Sequence, residues 1–352
     1  MNRQQYLYSS FALLAVAAFG VLMRNNFSVS PDELNILTAN KHKGVCWVGT
    51  PRPVGQTEFE SLKKCGANWI SQTPFGWQQN PGSPSLTFEP NSQKGWWGES
   101  EEGITVTSKL ASANGFKVML KPHLWIRESW PGDIAMKSSQ DWVSWFDQYE
   151  RFILYYAALA ERTHAEILCI GTELHKTVAH EKEWRKLISD IRQIYKGKLV
   201  YAANFNEEFE DVKFWDDLDY IGIQAYFPLS QKERPAVDDL VHAWKKHLSR
   251  IEKIQRVYNK PVLFTELGYK STADSAIEPW RWPVREDVDK VSHETQANCY
   301  EAFFRAAWNK KWLEGVYFWK WYPHGSSRNA TVDFTPQGKP AEAVLARWFK
   351  QQ

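Results

Sequence analysis

From Gly44 onward, short apolar runs alternate with longer amphipathic segments. The runs at 44–49, 67–74, 116–123, 166–173, 198–204, 220–226, 261–266 and 315–321 read as strands: each is brief, rich in β-branched or aromatic residues, and near-continuously apolar. Between and after them, segments near 57–65, 104–114, 141–162, 182–195, 237–258, 294–310 and 340–350 carry helical periodicity, and a short acidic helix follows Asn204. Gly115 is placed to cap one of these helices. Parallel strands need helical crossovers, so the alternation predicts a parallel sheet. Eight strand–helix pairs predict closure into a (β/α)8 TIM barrel. One long Pro/Gly/Ser-rich excursion, 78–103, interrupts the pattern and carries Trp96 and Trp97. No internal repeat of solenoid length is present.

The N-terminus follows a different rule. Residues 6–23 carry no charge and are bounded by Arg3 and Arg24. Such a run reads as a signal anchor or signal peptide, and the Val21-Leu22-Met23 end, without small residues, leans toward an anchor. The expected organisation is therefore an N-terminal signal and linker segment, 1–30, and a barrel domain, 31–352. The barrel domain is expected to be exported to the cell envelope, membrane-anchored or periplasmic/secreted, with membrane contact only through the N-terminal segment. With 43 Lys+Arg against 41 Asp+Glu, no basic surface suggests a nucleic-acid partner. Cys46, Cys65, Cys169 and Cys299 form no CxxC pair and read as buried free thiols.

Composition matters at one point. The chain holds 19 Trp, 14 Tyr and 19 Phe. A core absorbs many of them, but the number also suits a cleft in which pyranose faces stack on flat rings. Barrel sites lie at the C-terminal ends of strands. The predicted strands end in His123, Glu173, Asn204, Tyr226, Glu266 and Trp319 or Trp321, a polar and aromatic set around one mouth. Glu173 and Glu266 each sit in Thr-Glu-Leu, after strands four and seven, which face each other across a barrel. A carboxylate at the end of an apolar strand is costly to ionise unless it is bonded. Two of them can perform glycoside hydrolysis, with retention or inversion set by their separation. A structural ion pair with Lys121, Lys320 or Arg52 is the plain alternative. His175 and His180 lack the HExxH spacing, and a site made with His123 and Glu173 is the only metal alternative. No nucleotide-binding glycine loop is present, so neither metal nor organic cofactor is expected. A non-catalytic carbohydrate-binding barrel and a glycosidase or transglycosylase of other β-glycan specificity complete the alternatives.

Several short segments carry a resemblance: Gly66-Ala-Asn-Trp-Ile-Ser71 with Thr73-Pro-Phe-Gly-Trp77, Trp96-Trp-Gly98, Lys121-Pro-His-Leu-Trp125, Gly171-Thr-Glu-Leu174, Thr265-Glu-Leu-Gly-Tyr269 and Trp319-Lys-Trp321. In this order, the chain resembles glycoside hydrolase family 113, within the clan of retaining barrel glycosidases. The resemblance implies a β-1,4-mannanase, with Glu173 as acid/base and Glu266 as nucleophile. It implies Tyr226 beside the nucleophile and Trp319 beneath the sugar at the point of cleavage. Thr172 stands where many families of the clan have an Asn that holds the sugar 2-hydroxyl, which makes Asn204 and His123 the candidates for that contact. Trp77, Trp96, Trp97, Trp125 and Trp321 are the expected flanking substrate contacts on a poly- or oligosaccharide.

Overall fold

A computed structural model describes residues 40–91, 95–325 and 330–351. The 1–30 signal segment lies outside the described residues. Among the described residues, no helix is long and apolar enough to cross a membrane. The strands are β1 (His42–Trp47), β2 (Trp69–Gln72), β3 (Phe75–Gln78), β4 (Leu86–Thr87), β5 (Lys117–Leu120), β6 (His123–Ile126), β7 (Ile167–Thr172), β8 (Lys198–Asn204), β9 (Tyr220–Gln224), β10 (Val262–Leu267) and β11 (Leu313–Trp321). Eight of them close a barrel in the order β1-β11-β10-β9-β8-β7-β5-β2, and every pairing in it is parallel. The predicted TIM barrel is therefore present, with strand five of the sequence pattern reproduced at both ends.

The apolar runs 67–74 and 116–123 are shorter in the barrel than the sequence pattern suggests. Each is cut by a proline, Pro74 and Pro122, which has no N–H for a ladder. Beyond the prolines the chain re-pairs as a small second sheet, β4-β3-β6, in which Phe75 lies opposite His123 and Trp77 opposite Trp125. His123 thus opens β6 rather than ending a barrel strand. Lys121 takes the barrel end instead, its N–H bonded to the Gln72 carbonyl at 2.8 Å.

The helices are α1 (Glu60–Cys65), α2 (Glu101–Ala113), α3 (Ser139–Thr163), α4 (Glu181–Ile194), α5 (Glu208–Asp211), α6 (Val237–Tyr258), α7 (His293–Phe303, continued by a π turn, Phe304–Trp308) and α8 (Pro340–Phe349). Their ends follow local chemistry. Ser100 and Ser138 accept the Gly103 and Asp141 amides at 3.1 Å and start α2 and α3. Gly66 ends α1 with a left-handed φ of 84°. The barrel interior is a layer to which every barrel strand contributes, including Cys46, Trp69, Met119, Cys169, Leu263 and Tyr317. A larger apolar layer lies between strands and helices. All four cysteines are free and buried, as the sequence suggests.

Close packing leaves little room at the strands. A Cβ on Gly222 of β9 would stand 2.2 Å from the Tyr201 carbonyl oxygen and 2.6 Å from Val200 Cγ2. Gly222→Ala is expected to cost about 1–3 kcal/mol through displaced backbone. Urea unfolding of the two proteins measures it, and an unchanged midpoint would mean that β8 and β9 are free to separate.

Candidate active site

Two local distortions aim the glutamates. In β10 the pairing registers with β9 and β11 both shift beyond Phe264, so the strand bulges there. Phe264 and Leu267 face the outer layer, and the bulge lets Glu266 between them turn into the barrel mouth. β7 carries a similar shift between Cys169 and Thr172. The next residue, Glu173, has a left-handed φ of 52°, a conformation a non-glycine residue adopts only when its surroundings impose it. Its N–H is held by the Ala202 carbonyl at 2.9 Å.

Both carboxylates line one cleft of about 670 Å³. Glu173 accepts from Trp130 Nε1 at 2.9 Å on one oxygen and from Asn204 Nδ2 at 2.7 Å on the other. Burial raises its pKa above the usual carboxylate range. The charge of Glu266 acts in the same direction, and the bonds from Trp130 and Asn204 act against it. Glu266 is held differently. Tyr226 Oη donates to Oε2 at 2.7 Å and Lys121 Nζ to Oε1 at 2.5 Å. Burial and the neighbouring carboxylate push the Tyr226 hydroxyl well above its ordinary range, so it remains a donor. Burial is the largest influence and opposes the charge on Lys121, but the attraction and hydrogen bond of Glu266, with smaller contributions from Cys169 and Cys46, together hold the ammonium above its usual pKa. One glutamate is thus placed to carry a proton and the other to remain an anion, the division that acid–base work on a glycosidic bond requires.

Of the residues expected at the site, Glu173, Glu266, Tyr226, Trp319, Asn204, His123 and Trp125 line this cleft. Trp77 stands beside it, half exposed, with its ring 6.1 Å from that of Trp125. Trp96, Trp97 and Trp321 do not join. Trp96 is half exposed outside the cleft lining, Trp97 opens a 3-10 turn packed against the outer core, and Trp321 is completely buried there. A sugar has no access to Trp321: the pairing of β11 with β1 shifts register between Phe318 and Trp321, which breaks the alternation with Trp319 and turns the ring into the outer apolar layer. The expectation of a structural ion pair with Lys121 and that of a working carboxylate meet in the same residue, Glu266. Lys320 instead lies 3.7 Å from Asp333. His175 pairs with Asp211 at 3.1 Å and His180 packs on Trp142, and among the described residues no His, Cys, Asp and Glu converge as a metal site.

Other cleft residues went unsignalled in the strand pattern: Trp130, Phe205, Gln224, Trp280, Trp282 and Phe334. Trp280 and Trp282 do have a sequence sign, the Pro-Trp-Arg-Trp-Pro run 279–283 in the loop after β10. Trp280 stacks on Phe205 at 5.2 Å, and Trp282 meets Trp319 edge-on at 6.2 Å. Asp287, almost wholly buried, secures this loop by accepting from Lys270 at 2.9 Å and Arg281 at 2.8 Å.

A closed barrel with two differently held carboxylates in an aromatic cleft defines a glycosidase-type hydrolase. Over residues 51–339 the chain matches the model of Glycoside Hydrolase Family 113, and it belongs to that family. It is similar in structure to the GH113 β-mannanase AaManA from Alicyclobacillus acidocaldarius, solved with ManMIm: 28% identity, 89% of this chain and 98% of that one, TM-score 0.76. A second solved GH113 β-1,4-mannanase is 26% identical over 89% of this chain and all (100%) of its own length, with a TM-score of 0.75. A β-glucuronidase from Ruminococcus gnavus, 14% identical over 88% of this chain and 50% of its own length, shares the fold at a TM-score of 0.58. No curated protein sequence matches the chain significantly.

The Trp130 bond stabilises the ionised form of Glu173, so its loss must raise the pKa further. In Trp130→Phe, NMR of glutamate-labelled protein is expected to show Glu173 titrating at higher pH than in the parent. An identical titration would mean that the indole bond is not made in solution.

Proposed function

We propose that this protein is a retaining hydrolase of β-1,4-mannan, with Glu173 as acid/base and Glu266 as nucleophile. The observation that carries the reading is the unequal environment of the two carboxylates, inside a cleft walled by Trp125, Trp130, Trp280, Trp282 and Trp319. The names of the GH113 mannanases to which the chain is similar support mannan as the substrate. Glu266 attacks the anomeric carbon while Glu173 gives its proton to the departing glycosidic oxygen. With Glu266 now a neutral ester, one influence raising the pKa of Glu173 is gone. Glu173 then takes a proton from water, the water oxygen bonds to the anomeric carbon, and the Glu266 carboxylate is released.

Sugar contacts follow from what is left unpaired. Asn204 spends its amide on Glu173 and accepts the Asn206 N–H on its oxygen at 2.9 Å, so His123 is the better placed of the two candidates for the 2-hydroxyl. Trp319 offers its face to the sugar at the cleavage point, and Trp125 with Trp77 extends the stacking surface. We also propose that residues 6–23 take the chain out of the cytoplasm and hold it at the membrane, on the strength of their uncharged run between Arg3 and Arg24. Cell fractionation of the full chain tests this, and recovery from the cytoplasm would end it.

Reducing-end release from β-mannan, glucomannan, xylan and β-glucan separates the substrates. Mannan is expected to be cleaved, with the first product retaining the β configuration by NMR. Glu173→Ala is expected to lower kcat on polymer by about 10²–10⁴-fold. Cleavage of xylan or β-glucan alone would remove mannan, and an active Glu266→Ala would remove the nucleophile assignment. Trp77→Ala is expected to raise KM for long chains roughly 2–10-fold, the worth of one aromatic contact, with kcat unchanged. An unaltered KM would exclude Trp77 from the binding surface.

A further inference from the structure

Lys121 has no access to solvent, yet its ammonium reaches the cleft through Glu266 Oε1. A second proton of the same ammonium meets His123 Nε2 at 2.9 Å. Burial, and then the positive Lys121, hold the His123 pKa well below its ordinary value, so the ring is neutral and its Nε2 receives the Lys121 proton. The ring cannot swing away easily. Trp319 lies nearly parallel to it with ring centroids 6.5 Å apart, and Phe75 meets its edge at 5.4 Å. The other ionisable groups facing Lys121 offer no competing anion. Burial raises Cys46 from β1 and Cys169 from β7 above their ordinary thiol pKa. Glu173, after β7, is raised as well, and Tyr226, after β9, is a neutral donor to Glu266. Lys320 of β11, the other nearby cation, lies over the Trp282 ring and near Asp333.

We propose that Lys121 is the resident counter-cation of the nucleophile, aimed by neutral His123: it keeps Glu266 a carboxylate beside Glu173 and receives that anion again when the glycosyl–enzyme ester breaks. This rests on the reading of Glu266 as nucleophile. Lys121 remains protonated throughout. In the first step, the Glu266 electron pair goes into the bond to the anomeric carbon as the glycosidic bond breaks. In the second, water replaces that bond, its proton goes to Glu173, and the pair returns to a carboxylate facing the ammonium. A cation fixed and dried beforehand costs no reorganisation when the charge reappears. Lys121 is therefore a positioning residue that acts through Glu266.

The assignment has a test that needs no substrate. Glu266→Ala leaves a small anion-sized gap facing a buried ammonium. Sodium formate is expected to raise the melting midpoint of Glu266→Ala saturably, by about 2 °C or more. It should do neither for the parent nor for Glu266→Ala/Lys121→Met, in which both charges are gone and no unmatched ion is left to hinder folding. If Glu266→Ala folds poorly, formate should raise its soluble yield, while the double variant needs none. An equal response of the single and double variants, or no response of either, would overturn the proposal. In active enzyme, Lys121→Met is expected to move the acid limb of kcat/KM upward by about 1–3 pH units, and Lys121→Arg to restore part of the shift. An unmoved limb in folded Lys121→Met would leave Lys121 a packing residue only. A parent inactive on mannan would overturn the substrate reading and leave the formate result standing. A formate-insensitive Glu266→Ala in an active mannanase would overturn the role of Lys121 alone.

Discussion

An ionised carboxylate withdrawn from water must be matched, or it takes up a proton. At the mouth of this barrel the two glutamates resolve that constraint in opposite ways. Glu266 is matched by a buried ammonium and a phenol, Lys121 and Tyr226. Among the described residues Glu173 accepts from the neutral donors of Trp130 and Asn204, and burial raises its pKa. Much of the surrounding structure serves that asymmetry. The Glu266 anion in turn helps to keep Glu173 protonated from across the cleft, against a smaller opposing influence of the Lys121 charge.

Barrel geometry alone does not deliver these side chains. A regular β10 would turn Glu266 to the same outward face as Phe264 by strict alternation, and Leu267 inward with Thr265. The bulge breaks that count and frees Glu266 for the mouth while Leu267 stays in the outer layer. Glu173 achieves the same result through left-handed backbone. Pro74 and Pro122 then end their ladders together, so β3 and β6 leave the barrel as neighbours. That departure brings His123 back over Lys121, where a continuous strand would have carried it past the barrel end.

The eight barrel strands and the two glutamates were legible because both depend on local patterns: apolar runs of strand length, and charged residues at their ends. Asn204 and Tyr226 were found by the same rule, and both bond to the glutamates. What escaped depends on departures from periodicity. Reading His123 as a strand end required ignoring Pro122. Trp321 was misplaced because alternation assigns it the face of Trp319, and the register shift between β1 and β11 turns it into the outer core instead. Trp130 and the Trp280–Trp282 loop lie in irregular segments, where no period announces which way a side chain turns. Lys121 was visible only as a possible partner, since a sequence does not distinguish a structural ion pair from one shared with a working carboxylate.

The irregular segments are nevertheless built as firmly as the strands. The loop after β10 carries an aromatic wall of the cleft, yet it is tied down by Asp287, which draws Lys270 from the start of the loop and Arg281 from between the two tryptophans. Lys290 secures Asp274 at 3.0 Å on the same loop. Asp287 is almost completely buried, so loss of either partner would leave its charge poorly matched and is costly. A flat ring contributes to sugar binding only when it is already in place, because stacking is too weak to order a loop as well. The ion pairs under Trp280 and Trp282 therefore do for the walls what Lys121 does for Glu266. In both, a charge removed from water fixes in advance a group that the substrate meets.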